Sequence, residues 1–598
     1  MDYLKQIIDK LYKLPEDQLT NENLHKVKKW TIKELWIKII PTNIQLQRKY
    51  QELLKEWKIK DNKQIHFLLM KRKIRSLSGI VPIQVLTKPW PCPGKCIFCP
   101  NESIMPKSYI STEPGAMRAL LNQFDPLKQS FNRLLSLQST GHNTDKIEMI
   151  VLWWSFDAYD MEYKTNFIKQ LYDACNIFQN IKSKIDTEVD NPKSARFTID
   201  LEKLDLQLSK SIEEAQKINE TSENRIIWLT IETRPDLVNE KNIQFWRKLG
   251  VTRIEIWIQS TFDDILEANK RWHTIEQAKQ ALHLIRKYWI KISTHMMPGL
   301  YKSTIEKDIE SFKILFEDPY LKPDELKFYP TSVIPNTELY QLYKKWEYTP
   351  ITTEEIKKII KEVKQNYIPP YTRIKRLIRD IPESEIVSWS MITNLRQLAE
   401  HELKKELKID KKLQEKYFHR LFENQEWLEI KIFDVKDFDN LKEIKLEKHA
   451  NENLICLCTR CREIRNQKNE NDNIILVTRK YLSSVWEEYF ISFEDTDWYL
   501  IWFTRLLIPT NDYSDFEWLG KKTAIVRELH VYGLQEKIWK KWEKAQHKWF
   551  GTKLMKMAEK LAEEKWFEKV SVISGVWVRW FYKKIWYKLE WTYMIKEI

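Results

Sequence analysis

Glycine is scarce in this chain: it occupies 10 of 598 positions, whereas about 7% of the residues in an ordinary globular protein are glycine. Tryptophan is correspondingly abundant, with 26 residues. So little glycine excludes collagen-like and glycine-rich low-complexity chains. It also leaves few residues that adopt a left-handed backbone without strain, although a chain of this length needs many such turns.

Long apolar runs are also absent. No stretch approaches the roughly 18 consecutive apolar residues of a membrane helix. The opening segment MDYLKQIIDKLYKL mixes acids and bases where a signal peptide has an apolar run. With 43% apolar and 31% charged residues, the chain is expected to fold into several domains, about one for every ~150 residues. We therefore expect a cytoplasmic protein that does not enter a membrane.

Several tryptophans stand where a helix should end in glycine. Trp289, Trp566 and Trp586 each follow a helical run with Lys near its end and precede a strand-like run, which is the place of a left-handed glycine. Gly250, in KLGVTRIEI, shows the same pattern with the glycine intact. We interpret many tryptophans as glycines encoded by UGA, in an organism that reads UGA as glycine. The alternative, a tryptophan-rich protein with aromatic platforms for nucleic acid, leaves the shortage of glycine unexplained.

This hypothesis makes a structural prediction. The φ angles of Trp289, Trp566 and Trp586 should be positive, and several of the indoles should project into solvent or clefts instead of packing in a core.

The distribution of charge favours a polyanionic partner. The net charge is +14, and residues 1–75 carry 18 Lys and Arg against 9 Asp and Glu. Such an asymmetry is typical of nucleic-acid binding, although a solvated lysine-rich surface is the alternative. Helical periodicity in the same segment predicts a basic helical module.

The rest of the chain divides into three predicted parts. From 76 to 375, strand-like and helical runs alternate, which favours parallel strands with crossover helices and hence an α/β fold with a full or partial barrel. Residues 376–475 read as a charged helical linker. Residues 476–598 outline a compact α+β domain.

Seven cysteines form two triplets and one single residue, Cys175, which we expect in a core. The first triplet, Cys92, Cys96 and Cys99 in PCPGKCIFCP, has the spacing C-x3-C-x2-C directly after a predicted strand. Three thiolates hold three irons of a 4Fe-4S cluster and leave the fourth iron open. A zinc site, the alternative, would need a fourth protein ligand.

This triplet resembles the radical S-adenosylmethionine (SAM) superfamily, in which SAM binds the open iron. The loop VLWWSFDAY, with Trp153 and Trp154 read as glycines, is similar to the segment whose backbone approaches SAM; as tryptophans they would narrow that site. Polar residues near predicted strand ends are candidates for ligand contacts, with structural salt bridges as the alternative. They are Glu232, Arg234 and His295 as catalytic candidates and Gln259 as a SAM-binding candidate.

The C-terminal part resembles the acetyltransferases called GCN5-related. In AQHKWFGTKLM, the residues Gln546, Trp549 and Gly551 match the Q-x-x-G-x-G loop of that fold, with Trp549 at its middle glycine. The resemblance implies that the loop binds the pyrophosphate of coenzyme A. Tyr582 falls where these enzymes carry a tyrosine near the thioester; packing in a core is its alternative role.

Together with EPGAMRA, IETRPD, GVTRIEIWIQS, CLCTRCREIR and RELHVYG, these features resemble the catalytic subunits of the Elongator complex, from about residue 65 to the end. The resemblance implies a tRNA-modifying enzyme that uses SAM and acetyl-CoA to place a carboxymethyl group on C5 of the wobble uridine. A SAM-derived radical would take hydrogen from the acetyl methyl, the carbon radical would add to C5, and hydrolysis would release coenzyme A. Implied partners are tRNA, acetyl-CoA and an electron donor; a homodimer is left open.

The family's glycines align with many of the tryptophans, which independently supports UGA recoding. These tryptophans are Trp153, Trp154, Trp257, Trp272, Trp289, Trp346, Trp502, Trp542, Trp549, Trp577 and Trp586.

The resemblance also implies a tRNA-binding role for the N-terminal module. In KRKIRSLSG, our candidates for tRNA contacts are Lys71, Arg72, Lys73 and Arg75, with a merely solvated charge run as the alternative.

The second triplet, Cys456, Cys458 and Cys461, corresponds to a structural zinc site of the family. Tetrahedral zinc needs a fourth ligand, for which His530 is the candidate; His449 or an open site are alternatives.

Two other functions remain open at this point. A protein lysine acetyltransferase would need no SAM chemistry and would leave the first cysteine triplet unexplained. A tRNA-binding scaffold without catalysis becomes attractive only if the tryptophans at glycine positions are real.

Overall fold

A computed structural model describes most of the chain. The described residues are 2–76, 78–92, 94–153, 156–185, 199–387, 395–448, 451, 454–464, 474–509, 522–532 and 546–598. Within them, no helix is both long and apolar enough to cross a membrane.

The helices are distributed along the whole described chain. They are α1 (Tyr3–Tyr12), α2 (Asn21–Glu34), α3 (Asn43–Lys55), α4 (Lys63–Leu69), α5 (Pro114–Leu121), α6 (Pro126–Ser139), α7 (Met161–Ile181), α8 (Ile212–Asn219), α9 (Glu240–Lys248), α10 (Asp263–Ala268), α11 (Ile275–Lys287), α12 (Ile305–Glu317), α13 (Glu338–Lys344), α14 (Thr353–Glu362), α15 (Leu395–Ile409), α16 (Lys411–Phe422), α17 (Thr459–Arg462), α18 (Gln546–Glu564) and α19 (Arg579–Lys584).

The first sheet has seven strands, all parallel, which pair in chain order. They are β1 (Val81–Leu86), β2 (Lys146–Leu152), β3 (Arg225–Thr233), β4 (Arg253–Gln259), β5 (Lys291–Met296), β6 (Glu325–Phe328) and β7 (Arg373–Arg376). Such a sheet with crossover helices is a partial barrel, which confirms the predicted α/β class.

The two faces of this barrel differ in chemistry because side chains alternate along a strand. The outward residues, such as Met149, Ile254 and Leu326, join the apolar core that packs against the crossover helices. The inward residues include charged groups such as Glu148, Arg253 and Lys375. The polar lumen therefore lies on the concave face.

The second sheet has nine strands, in the order β15-β16-β14-β13-β12-β11-β10-β8-β9. They are β8 (Glu429–Asp434), β9 (Lys442–Glu443), β10 (Ile474–Ser483), β11 (Trp486–Asp495), β12 (Leu500–Ile508), β13 (Thr523–Val531), β14 (Lys569–Val572), β15 (Lys588–Glu590) and β16 (Tyr593–Glu597). β8 and β9 come from the segment interpreted as a helical linker, so that segment is not only helical. The domain bounds themselves remain predictions.

The second sheet covers the amino ends of the barrel strands. Lys291 at the start of β5 pairs with Glu528 of β13, and Arg527 pairs with Asp324, next to β6, at 2.7 Å. Gly575, which follows β14, lies so close to β3 that a Cβ atom there would come within 1.9 Å of the Ile227 carbonyl oxygen. A glycine at this position is therefore required by the contact between the two sheets.

The predicted left-handed helix ends are confirmed. The φ angles of Trp289, Trp566 and Trp586 are 64°, 63° and 73°. At each one, the tryptophan N–H bonds three residues back and the next N–H bonds five residues back, which is the Schellman motif that glycine usually completes. Gly250 has the same bonds and a φ of 89°.

The predicted exposure of the indoles is confirmed for some and wrong for others. Trp566 and Trp586 are 84% and 83% exposed, whereas Trp289 and Trp153 are buried. The ring of Trp289 packs edge-on against Tyr593, with centroids 4.5 Å apart. Recoding of UGA remains our hypothesis, supported by the backbone at these positions.

The first prediction concerns Trp566→Gly. The exposed indole makes little contact, so removing left-handed strain should raise the free energy of unfolding by about 1 kcal/mol. Trp30→Gly is the matched control: Trp30 is 59% exposed within helix α2, and glycine there should lower stability by about 1 kcal/mol. Thermal melts of the full chain measure both, and a destabilised Trp566→Gly would contradict the glycine interpretation.

The second prediction concerns Gly575→Ala. The added methyl would overlap the backbone of β3, so the variant should lose about 2–3 kcal/mol. Gly115→Ala is the control, because the nearest atom to its new Cβ would be Arg118 Nη2 at 4.0 Å. Chemical denaturation followed by tryptophan fluorescence compares the two, and equal stability would show that the junction tolerates the overlap.

Candidate functional site

The first cysteine triplet lies in a loop at the carboxyl end of β1. Cys96 and Cys99 are buried and Cys92 is half-buried. The loop is held from two sides: Ile97 N–H donates to the Asn269 carbonyl at 3.4 Å, and Leu339 N–H donates to the Ile97 carbonyl at 2.8 Å. The thiols are thus placed at the barrel mouth, where ligands bind in such folds.

The chemistry of these donors fits an iron-sulfur cluster better than a single ion. In the part of the chain that the structure describes, the sulfur atoms of Cys456, Cys458 and Cys461 all lie within 4.8 Å of one another. The first triplet is not such a compact group. Its three thiol sulfurs are spaced more widely than the ligands of a single ion, and an iron-sulfur cluster takes one thiolate on each of several irons. A bond with Cys99 and the charge of Arg271 hold the pKa of Cys96 well below its usual range despite burial, which favours the thiolate that binds iron.

Glu232, near the end of β3, faces the same mouth. Its Oε2 accepts hydrogen bonds from the Tyr109 hydroxyl at 3.1 Å and from Trp153 N–H at 3.2 Å. Burial raises the pKa of Glu232 to about 7; Lys327 opposes this effect and Glu255 adds to it. Glu232 is therefore poised between its protonated and ionised forms near neutral pH.

His295 lies deeper, against Glu255. Its Nε2 is 3.4 Å from Glu255 Oε2, and the three side chains of Glu232, Glu255 and His295 are close enough to be ligands of one ion. Burial, together with Lys327, lowers the pKa of His295 to about 3. The imidazole beside Lys327 is therefore neutral, and a catalytic role of His295 stays a prediction.

Arg234 and Gln259 are both buried at strand ends. Arg234 pairs with Asp236 two residues on, so its guanidinium is engaged in the kind of structural ion pair that the sequence left open. Gln259 has a φ of 75°, and its carbonyl accepts from Met297 N–H at 2.9 Å.

Trp153 and Trp257 lie near Glu232 at the barrel mouth. That the indoles narrow the SAM site stays a prediction. Trp153 is fully buried, with its ring 4.6 Å from that of Tyr159; Trp154 lies outside the described residues. The cavity beside Glu232, bordered by Trp257 and Lys327, has a volume of about 50 Å³, which is room for a few water molecules.

The predicted tRNA residues line an open groove. Lys71, Arg72, Lys73 and Arg75 border a space of about 590 Å³. Burial and the charges of Arg72 and Arg118 lower the pKa of Arg75 to about 10.

Two further arginines belong to this basic patch and were missed from the sequence. The charge of Arg118 helps to lower the pKa of Arg75. Burial, together with the charges of Arg118, Arg75 and Arg72, lowers the pKa of Arg133 to about 9. Both come from helices of the barrel, α5 and α6, far away in sequence. Only EPGAMRA, which contains Arg118, gave a signal.

A hydrogen-bonded turn pins this segment to the barrel. His142 Nε2 is 2.9 Å from the Lys71 carbonyl oxygen, and His142 Nδ1 is 2.9 Å from Ser76 Oγ. Lys71 N–H also donates to the Thr140 carbonyl at 3.1 Å. The cationic side chains therefore project from a fixed backbone.

The second cysteine triplet forms a compact group that fits three ligands of a tetrahedral ion. His530 is not in that group: its Nδ1 is 3.7 Å from Glu528 Oε1, and its ring stacks on Phe503. His449 lies outside the described residues. Lys364 Nζ lies 4.0 Å from Cys461 Sγ. Burial opposes the charge of Lys364, but the cysteine triplet and Glu400 outweigh that effect and raise the pKa of Lys364.

The predicted acetyl-CoA residues lie at the other end of the barrel. Tyr582 is buried in α19 and lines a small cavity with Arg253, Lys291 and Glu528; burial raises its pKa. The segment expected to be a loop is the first part of α18, although the side chains of Gln546 and Trp549 are outside the described part. Gly551, in that helix, lies against Phe581, the neighbour of Tyr582.

A chain of buried ion pairs runs through the lumen from one end to the other. In order, its members are Glu528, Lys291, Glu325, Arg253, Glu148, Lys375, Glu255, Lys327 and Glu232.

Comparison with known proteins agrees with this architecture. Residues 185–313 match the model of the radical SAM superfamily, and residues 323–405 match the radical SAM C-terminal domain. A radical SAM domain implies SAM and a 4Fe-4S cluster. The cysteine loop lies upstream of both matched segments.

The chain is similar to whole proteins as well. It is 35% identical over 571 residues to a tRNA uridine(34) acetyltransferase of Methanocaldococcus infernus, covering 92% of this chain and 91% of the relative. It is 32% identical to Elongator complex protein 3 of Homo sapiens, covering 89% and 86%. The solved structure of Methanocaldococcus infernus Elp3 with an N-terminal deletion aligns with a TM-score of 0.65 and 32% identity, covering 87% of this chain and 100% of that one. The chain therefore belongs to the radical SAM family that comprises the tRNA uridine(34) acetyltransferases and Elongator complex protein 3.

Proposed function

We propose that this protein modifies uridine 34 of tRNA by radical SAM chemistry. The observation that carries the proposal is the cysteine loop beside Glu232 at the barrel mouth, in a chain 35% identical over 92% of its length to a tRNA uridine(34) acetyltransferase. The finer proposal is that the acetyl group of acetyl-CoA becomes a carboxymethyl group on C5 of this uridine.

Cys92, Cys96 and Cys99 would hold a 4Fe-4S cluster, and SAM would complete it. When bound and reduced, the cluster and SAM would supply a 5′-deoxyadenosyl radical, the species that could take hydrogen from the acetyl methyl. Glu232, with a pKa near neutrality and fixed by Tyr109 and Trp153 N–H, is suited to hold or accept a proton next to the reacting groups.

The basic groove at residues 71–75 supports tRNA binding. Its lining cations come from residues 71–75, and Arg118 of α5 and Arg133 of α6 add positive charge close to Arg75. Phosphate contacts of this kind are strong and depend on salt. Zinc at Cys456, Cys458 and Cys461 is proposed as a structural ion only.

For acetyl-CoA to be the donor, the acetyl-CoA site at one end of the barrel must deliver its acetyl group to the cluster site at the other end. Tyr582 lies at the amino ends of β4 and β5, whereas the cysteines lie beyond the carboxyl end of β1. The acetyl group must therefore reach the lumen, which holds the chain of buried ion pairs.

Anaerobically reconstituted protein incubated with tRNA, SAM and acetyl-CoA tests the function. Nucleoside mass spectrometry should find carboxymethyluridine at the wobble position, and omission of SAM or acetyl-CoA should abolish it. Acetylated lysine in histone-tail peptides without SAM would favour the lysine acetyltransferase instead. Binding of tRNA without modification or SAM cleavage would favour the scaffold.

The third prediction separates chemistry from tRNA binding. Cys96→Ala should abolish cluster binding and SAM cleavage, because two thiolates do not retain a cluster with an open iron. Its tRNA affinity should stay within about twofold of the parent, since phosphate contacts lie elsewhere. Iron content, 5′-deoxyadenosine release and filter binding measure these, and a large loss of tRNA binding would contradict this division.

The fourth prediction concerns the groove. Replacing Lys71, Arg72 and Lys73 together with Gln should weaken tRNA binding and reduce the slope of log affinity against log salt by about 2–3. Lys431, Lys436 and Lys442, which lie on or near the second sheet's edge, form the control triplet. An unchanged salt slope would place the phosphate contacts elsewhere.

A further inference from the structure

The guanidinium of Arg271 contacts Cys96, a cysteine of the first triplet. Its Nη1 lies 3.3 Å from Cys96 Sγ, and its Nη2 donates to the Trp257 carbonyl oxygen at 2.8 Å. The side chain is 9% exposed. The carbonyl of β4 thus fixes one arm of the guanidinium while the other arm points at the sulfur.

The segment that carries Arg271 is itself attached to the cysteine loop. Asn269 accepts from Ile97 N–H through its carbonyl, and its side-chain amide donates to the Tyr301 carbonyl at 3.0 Å. Arg271 N–H donates to the Leu266 carbonyl at 2.9 Å. The distance between the guanidinium and Cys96 is therefore set by backbone on both sides.

The other groups nearby contribute less positive charge. His273 Nδ1 is 3.5 Å from Arg271 Nη2, but burial and the charge of Arg271 lower the pKa of His273 to about 2. Arg234 also acts on Cys96, yet its charge is offset by Asp236. Lys107 donates to the Gly94 carbonyl at 2.6 Å and acts on Cys99.

We propose that Arg271 is a positioning residue that hydrogen-bonds the Cys96 thiolate of the cluster and thereby raises the reduction potential of the cluster. A donor and a positive charge at a ligating sulfur stabilise the reduced form, which carries one more electron, more than the oxidised form. The inference rests on the cluster of the proposed function, but it does not depend on tRNA or acetyl-CoA.

The test is a redox titration of the reconstituted full chain, followed by electron paramagnetic resonance, without SAM, tRNA or acetyl-CoA. At the wild-type midpoint, Arg271→Gln should lower the ratio of reduced to oxidised cluster about tenfold, or ~59 mV for a one-electron couple. Arg271→Lys keeps the charge but does not reach both partners, so its ratio should fall about threefold.

Arg286→Gln is the matched control. Arg286 is fully buried and donates to the backbone carbonyl of Lys322 at 2.6 Å, but it lies at the amino end of the barrel. Its potential should equal that of the parent. Iron content and the melting temperature of each variant show whether the chain is folded and loaded.

Each outcome decides the inference. A wild-type potential in Arg271→Gln, or an equal shift in Arg286→Gln, overturns it. If Arg271→Gln binds no cluster, the potential of Arg271→Lys decides in the same way. If neither variant binds iron while the control does, Arg271 serves cluster assembly and potential tuning is wrong. A shifted potential in a protein that never modifies tRNA would instead reject the proposed function alone.

Discussion

The buried ion-pair chain in the barrel lumen is the constraint on which both ends of the molecule depend. Barrel interiors are usually filled by branched apolar residues, whereas here acids and bases alternate from Glu528 to Glu232. An isolated buried charge costs several kcal/mol, and a pair is tolerated only when each member keeps its partners. The ionisation of Glu232 at the mouth is consequently tied to Lys327 and Glu255 below it, and through them to Lys375.

The series of buried ion pairs also accounts for the position of the second sheet at the amino ends of the barrel strands. The pair at the amino end of the series, Lys291 with Glu528, joins the barrel to β13. A residue of the other sheet therefore closes the amino end of the lumen. Gly575 permits the close approach, because only a residue without Cβ fits beside the Ile227 carbonyl. The contact between the sheets thus combines buried ion pairs, a close backbone approach at Gly575 and an apolar core to which both sheets contribute.

The sequence predicted the elements whose signals are local. The parallel strands and the left-handed helix ends follow from patterns within a few residues, and the structure agrees with them. The cluster ligands indicated by the cysteine spacing stay a prediction. The lumen chain, Arg271 at Cys96 and the arginines around Arg75 join residues far apart in sequence, for which spacing gives no signal. The motif KRWHT contained Arg271, but nothing in it revealed that the guanidinium meets a thiol. His530 is the opposite case: an imidazole can bind zinc, but in this fold its Nδ1 lies 3.7 Å from Glu528 Oε1.

The tryptophans show which features of the site belong to the backbone and which to the side chains. Trp153 contributes its N–H to Glu232, and any residue other than proline supplies that donor. Its indole, in contrast, is buried and packs against Tyr159. The Schellman bonds at Trp289, Trp566 and Trp586 are likewise backbone bonds, formed at φ angles that tryptophan adopts only under strain. Glycine at these positions would supply the same N–H donors without the rings, so the hydrogen bond to Glu232 and the Schellman bonds are specified by the chain path and not by the indoles.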